Sequence, residues 1–258
     1  MPTPSPLWER FDPGREIGRH LLAFGEVSST MDVAWERFDA GASHGTVVQA
    51  ATQSQGRGRF ARRWVSSPGE SLLISALVTQ PPMTIGPLLP IVATLAVADT
   101  VREVAGIACA IKWPNDVIVN GLKIAGVLVE SRVDTDGEGA AVVGIGLNVN
   151  LDVGTHADLA GIATNLSTET GREHDLRIVA ASLLSNLDSA LKAMIDGGQT
   201  IERWRAILDT LGQEISVHQR ERTLTGTAED VDDAGRLLLR TADGILHTLA
   251  EGDVTLNG

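Results

Sequence analysis

Lysine and cysteine are scarce in this chain, and both scarcities carry information. One cysteine, Cys109, occurs in 258 residues. That excludes an intramolecular disulfide framework and any zinc site built on several cysteines, and it fits a reducing, cytoplasmic location. Positive charge is also short: 21 Lys and Arg face 33 Asp and Glu, a formal net charge of −12. General nucleic-acid and anionic-membrane binders need a net basic face, so both classes are disfavoured. No stretch reaches ~18 apolar residues free of charge, so no transmembrane helix is expected. The opening MPTPSPLWERFDPGR has early prolines and no apolar run, which does not read as a signal peptide. The six histidines show no metal-ligand spacing, so no metal site and no His-based triad is expected.

What is present reads as a mixed α and β chain. Residues 1–17 form a proline-bearing lead-in. Ser29 or Thr30 suits a helix N-cap, and Met31, Ala34, Trp35 and Phe38 follow as one apolar stripe. TVVQAA (46–51) predicts a strand, and SLLISALVT (71–79) a strand apolar on both faces and therefore central. After the break at Pro81 and Pro82, residues 87–105 predict a buried helix. ACAIKW predicts a strand, and DVIVNGLKIAGVLVES a hairpin turning at Asn120-Gly121. The 134–139 segment predicts a turn, and 140–151 another strand. A long amphipathic helix is expected over 175–196 and a shorter one over 200–211. After Gly212 the pattern changes to short strands with DDAG and ADG turns, which predicts a small β-barrel of ~45 residues. The expected organisation is thus α+β: a mixed-sheet catalytic domain flanked by helices, 1–212, and a small C-terminal β-barrel, 213–258.

Two segments stand out chemically. GRGRFARRW (56–64) gathers Arg57, Arg59, Arg62 and Arg63 in an acidic protein. Gly56 and Gly58 free the backbone around Arg57 to approach a ligand, and guanidinium groups bind phosphate or carboxylate oxygens in bidentate fashion. Taken alone, the segment fits an anion-binding loop, a solvated basic turn or an RGG-like contact. KWPND (112–116) sets Lys112 at a strand end, where a compact cation suits a pyrophosphate or acyl-phosphate. Asn115 and Asp116 can cap that turn; Asp116 can instead orient a lysine or help hold magnesium. The Asn120-Gly121 turn is expected to bring Lys123 back alongside Asp116. GIGLNVN (144–150) lacks dinucleotide-fold spacing, so its glycines mark a strand that a backbone or planar ligand approaches closely. Asn148 is then a candidate partner for a base or sugar. Cys109, in an apolar run without a neighbouring His, reads as a core cysteine.

Together these segments resemble the biotin–protein ligases. The resemblance runs in the family's order through SSTMD (28–32), TQSQGRGRFARRW (52–64), KWPNDV (112–117), KIAGVLVE (123–130) and GIGLNVN (144–150). ATNL (163–166) resembles a sixth segment, and 213–258 match the family's small C-terminal barrel in position and length. Ala61 departs from the family pattern, which has glycine there. The resemblance implies ATP- and Mg2+-dependent activation of biotin to biotinyl-5′-AMP, then transfer to one lysine of a biotin carboxyl carrier domain in a biotin-dependent carboxylase. About 18 residues precede the catalytic region, so the ligase-only form without a DNA-binding domain is expected. No DNA or membrane partner is expected, and oligomeric state is left open.

By residue, the resemblance puts Ser29, Thr30, Met31 and Gln53 around the biotin ring, with Met31 standing where some members have Asn. It puts Gly56, Arg57, Gly58, Arg59 and Arg62 in the loop that closes over biotin and the phosphates. Trp64 matches the tryptophan that stacks on adenine, and Asn115, Gly126 and Asn148 belong to the binding set. Lys112 matches the lysine at the biotin carboxylate and adenylate phosphate, with Lys123 near it. Lys112, Arg59, Lys123 and Asp116 form the expected catalytic group, with no resident metal. The nearest rivals are lipoate ligases and octanoyl transferases. They match poorly at GRGR and KWPND, or need a cysteine nucleophile in another setting.

Overall fold

The computed structural model describes residues 15–79, 86–133, 139–219 and 222–256. The expected lead-in up to residue 14, the break at 81–82 and most of the 134–139 turn lie outside them. A seven-stranded mixed sheet forms the centre. Its strands are β1 (His20–Val27), β2 (Thr46–Gln53), β3 (Ser71–Thr79), β4 (Ala110–Lys112), β5 (Asp116–Val119), β6 (Leu122–Val133) and β7 (Gly139–Asn148). Their order is β1-β2-β3-β7-β6-β5-β4. β1 and β2 are parallel; the other pairs are antiparallel.

Strand alternation splits this sheet into two unlike faces. Ile74, Ala76, Val143, Ile145 and Leu147 turn to one face, under helices α2 (Leu89–Ala105) and α4 (Leu176–Ile195). α4 is long and apolar enough to cross a membrane by composition, but Leu183, Leu187 and Leu191 are buried in this core. The other face carries Val142, Gly144, Gly146 and Asn148 from β7, and Ser75 and Leu77 from β3. Helix α1 (Thr30–Asp39) covers part of it through Met31, Ala34 and Trp35. Ser29 caps α1, its Oγ accepting from Met31 N at 3.3 Å. The rest of that face is open as a cleft.

The expected hairpin is present. Asn120 and Gly121 both take positive φ, 51° and 78°, the two-residue turn that matches strand twist. The shorter helix ends earlier than expected, as α5 (Thr200–Arg205), following the short α3 (Leu166–Thr170). β1, with no regular alternation, was not evident in the sequence.

The C-terminal strands β8 (Glu214–His218), β9 (Thr223–Val231), β10 (Leu237–Thr241), β11 (Leu246–Leu249) and β12 (Asp253–Leu256) form a separate antiparallel sheet. Its order, β11-β10-β9-β8-β12, is linear among the described residues, so it is a five-stranded sheet with two edges and not a closed barrel. β12 is an addition to the four expected strands. Ile215, Val217, Leu237 and Leu239 share one core with Ile91, Ile111, Trp113 and Trp204 of the larger region. Trp113 ties the two together: its Nε1 donates to Gly235 O at 3.0 Å, and its backbone N to Thr210 Oγ1 at 2.9 Å.

Candidate active site

The cleft on the α1 face has a volume of ≈ 510 Å³. It gathers segments far apart in sequence: the start of α1, the end of β2, the 56–64 loop, the β4–β5–β6 unit, β7, residues 159–163 and the start of β12. Of the expected site residues, Ser29, Thr30, Met31, Gln53, Arg57 and Gly58 line it, as do Arg59, Arg62, Trp64, Lys112 and Asn115. Asp116, Lys123, Gly126 and Asn148 line it too. Gly56 does not. It is buried behind the wall, where a Cβ would stand 2.8 Å from Trp64 O. Its role is to let the loop return, with Trp64 N donating to Gly56 O at 2.9 Å.

At one end, Thr30 N and Thr30 Oγ1 both donate to Gln53 Oε1, at 2.7 and 3.1 Å. The floor is made by glycines. Gly126 and Gly146 are cross-strand partners on β6 and β7. A Cβ on Gly146 would run into the Trp64 ring, and one on Gly126 would lie 3.0 Å from Trp64 Cζ3. Met31 Sδ fills the space over Gly144, where a Cβ would meet it at 2.9 Å. The close approach expected over these strand glycines is therefore made by the protein's own side chains. Trp64 Nε1 and Asn148 Oδ1 are buried with no hydrogen-bond partner, while Asn148 Nδ2 donates to Thr164 O at 3.0 Å.

The 56–64 loop is folded over the cleft and tied at both ends. Arg57 pairs with Asp32 and, at 3.1 Å, with Glu130; Trp35 Nε1 holds the other oxygen of Glu130 at 3.0 Å. Burial opposes the charged form of Arg57, but the bond to Asp32 and the field of Glu130 prevail and raise its pKa. Arg62 pairs with Asp253 of β12. Arg59 donates to Gly252 O at 3.1 Å and Asn115 Oδ1 at 3.3 Å. Burial lowers the Arg59 pKa, opposed by Glu251, Asp116 and Asp253. The chain reverses at Phe60 and Ala61, with φ of 54° and 58°. A left-handed residue at 61 is the physical reason a glycine suits that position.

On the strands, Lys112 and Asp116 are cross-strand partners, and Lys123 Nζ lies 2.6 Å from Asp116 Oδ1. The turn thus does bring Lys123 beside Asp116. Lys123 Nζ also stands 5.5 Å from the Trp64 ring centroid. Lys112 lines the cleft, and among the described residues its ammonium pairs with no carboxylate. Burial pushes the Cys109 thiol up to about 12, which disqualifies it as a nucleophile at neutral pH. Among the described residues no three His, Cys, Asp or Glu side chains cluster to hold a metal. The carboxylates on the lining, Asp116 and Asp253, are each held by a basic side chain, Lys123 and Arg62.

Sequence reasoning did not pick out Asp253, Val254 and Thr255, nor Leu159, Gly161 and Ile162, all of which line the cleft; Ala163, which also lines it, opens the ATNL segment. The first group arrives through the pairing of β12 with β8. The second arrives through a bridge between Lys123 and Ala163.

A cleft with cations on two sides and, among the described residues, no activated nucleophile is suited to orienting and neutralising anionic ligands. Residues 24–150 match the Biotin/lipoate A/B protein ligase family, and residues 210–256 the Biotin protein ligase C terminal domain. The bifunctional ligase/repressor BirA of Bacillus subtilis is 36% identical over 236 residues, spanning 89% of this chain and 72% of that protein. The biotin–[acetyl-CoA-carboxylase] ligase of Paracoccus denitrificans is 34% identical over 212 residues, 79% of this chain and 88% of that one. The biotin protein ligase of Aquifex aeolicus, solved with biotin and ATP, superimposes with a TM-score of 0.78 at 29% identity, covering 93% and 99% of the two chains. The chain belongs to the biotin protein ligase family.

Proposed function

We propose that this protein activates biotin with ATP and transfers the biotinyl group to a lysine of a carrier protein. The observation that carries this is the single cleft in which the arginine loop and the β4–β6 lysines meet. In the first step a biotin carboxylate oxygen attacks the α-phosphorus of ATP. The bond to the β-phosphate oxygen breaks, and pyrophosphate leaves. Two anions must approach each other, so fixed cations lower the barrier. Lys112 is the residue we assign to the carboxylate and α-phosphate, because its charge is not committed to a protein carboxylate. Lys123, held by Asp116, supports the same region. Asp116 orients the lysine; it does not take a proton from substrate.

In the second step the neutral ε-amine of the acceptor lysine attacks the biotinyl carbonyl. The C–O bond to AMP breaks, AMP leaves, and the amine loses a proton. The mixed anhydride is prone to hydrolysis, so a closed loop preserves it. We assign Arg57, Gly58, Arg59 and Arg62 to that closure, Gly56 to the loop's return, and Trp64, Asn115, Gly126 and Asn148 to the nucleotide. Ser29, Thr30, Met31 and Gln53 are assigned to biotin. The acceptor we infer is the biotin carboxyl carrier domain of a biotin-dependent carboxylase, met in the cytoplasm. Residues 1–212 form the catalytic unit in this reading, and 213–258 a unit that supports the loop through Gly252 and Asp253.

The test is direct. The protein is incubated with biotin and magnesium–ATP, and pyrophosphate and biotinyl-AMP are followed, the latter by mass spectrometry. Lipoate and octanoate run in parallel. Biotin-dependent pyrophosphate release supports the reading; equal or greater turnover with lipoate or octanoate overturns it.

A further inference from the structure

Glu169 sits in the short helix α3, outside every segment that carries the family resemblance, and it does not line the cleft. Both of its carboxylate oxygens are engaged. Oε1 accepts from Thr164 Oγ1 at 2.6 Å, and Oε2 from Asn120 Nδ2 at 2.9 Å. Among the described residues no cation pairs with it. Asn120 opens the hairpin turn that leads into Lys123, and Thr164 follows Ala163, the bridge partner of Lys123. One carboxylate thus joins the two segments on either side of that lysine. The sheet shows why such a joint matters there. β7 pairs with β6 from Ala125 onward, so at Lys123 the strand has run past the end of its neighbour. On the other side it faces Ile118, beside an irregularity in the β5–β6 register. Residues 162–164 take the place of β7: Lys123 N donates to Ile162 O, and Thr164 N to Lys123 O, both at 2.9 Å. This segment belongs to no strand, so its position depends on what holds Thr164. Asn148 Nδ2 meets the Thr164 carbonyl, and Glu169 takes the hydroxyl, on a residue 2% exposed. Without Glu169 that buried hydroxyl has no acceptor, and the segment must shift to find one.

We infer that Glu169 is a positioning residue for adenylate synthesis: by bridging the hairpin turn and the 162–164 segment, it fixes the backbone from which Lys123 reaches the cleft. This rests on the ligase reading and adds to it. Lys123 Nζ stands 2.6 Å from Asp116 Oδ1 and 5.5 Å from the centre of the Trp64 ring. A preorganised cation loses its effect when its anchor drifts by a fraction of such distances. The carboxylate works here as a pair of acceptors rather than as a charge, since its partners are a hydroxyl and an amide.

The experiment follows biotin-dependent pyrophosphate release by the full chain with magnesium–ATP. Glu169→Ala is expected to lower kcat about tenfold and to leave the KM for biotin within about twofold, because the residues assigned to biotin lie on α1 and β2. Glu169→Gln is expected to recover to within about threefold of the unaltered rate. Its amide oxygen still accepts from Thr164, and its Nε2 donates to the Asn120 oxygen once that amide turns over. The deciding comparison is made in Lys123→Ala, itself expected to be slower by about 10²-fold. In that background Glu169→Ala is expected to cost less than about twofold more, since a residue that acts through Lys123 has nothing left to position. Asn120→Gly keeps the positive φ of the turn while removing its bond to Glu169. It is expected to lose about threefold, again only while Lys123 is present, and carries the comparison if Glu169→Ala does not fold. An unchanged rate in the folded variants, no recovery in Glu169→Gln, or a full loss repeated without Lys123 overturns the inference and leaves the ligase reading intact. Absence of biotin-dependent pyrophosphate release by the unaltered chain overturns that reading, and this inference with it.

Discussion

The two cation-bearing regions of the cleft use their charges differently. In the 56–64 loop, Arg57 and Arg62 face protein carboxylates and Arg59 reaches a carbonyl and an amide oxygen. On the strands, Lys123 is paired with Asp116, while Lys112 has no carboxylate partner. Each loop cation therefore already does structural work, and the strand lysine is held on a short hairpin unit with its charge uncommitted. Rigid strands suit an electrostatic contact that must be in place before reaction, and a loop suits a contact that must open and close. In the proposed function this difference is the reason for giving chemistry to the strands and retention to the loop.

The largest effect that follows is on Lys112. Lys112→Ala is expected to cut adenylate formation by roughly 10²-fold or more, the scale of one preorganised electrostatic contact, with the fold retained. Pyrophosphate release by the folded variant checks this, and near-normal release would end the contrast between strand and loop. Next comes the floor on which the loop's tryptophan rests. Gly146→Ala drives a methyl into the Trp64 ring, and overpacking of this kind costs about 1–3 kcal/mol. Nucleotide affinity is expected to fall about tenfold or more, measured by titration beside a melting curve.

Arg59→Gly sharpens the comparison from the other side. Synthesis is expected to drop by less than about tenfold, while release of the adenylate rises and lysines outside the acceptor become labelled. Labelling confined to the acceptor alongside collapsed synthesis would make Arg59 a chemical residue. The smallest effect is expected at the loop's far tie. Arg62 is mostly exposed, so its pair with Asp253 contributes only about 0–1 kcal/mol. Asp253→Asn should raise adenylate leakage by no more than about fivefold, with adenylation unchanged. A loss as large as that of Lys112→Ala would mean that β12 takes part in the chemistry.

Much of this site was legible before any coordinates. The Asn120-Gly121 turn fixes a two-residue hairpin, and with it the return of Lys123 to Asp116, because that turn type sets the register. β3 and α4 were evident from their apolar patterns. β1 was not, because HLLAFGEV shows no alternation and its burial is set by its neighbours. β12 was missed because it is four residues long and held only by its pairing with β8. The C-terminal strands were recognised, but their linear order and two edges were not, since strand periodicity does not state whether a sheet closes.

The sequence by itself determined the elements other than β1 and β12, the arginine loop, the hairpin lysines and the glycines that leave room above β6 and β7. These depend on local backbone preference and on periodicity, which are written within a few residues. Only the tertiary structure decided which charges are committed. Asp32 and Glu130 reach Arg57 from α1 and β6, Asp253 reaches Arg62 from 191 residues away, and no local pattern records such pairings. The contacts that join Ser75, Thr30 and Gln53 have the same origin. One serine inside an apolar strand carries no signal until α1 is laid over it and brings Thr30 Oγ1 to 2.8 Å from its hydroxyl.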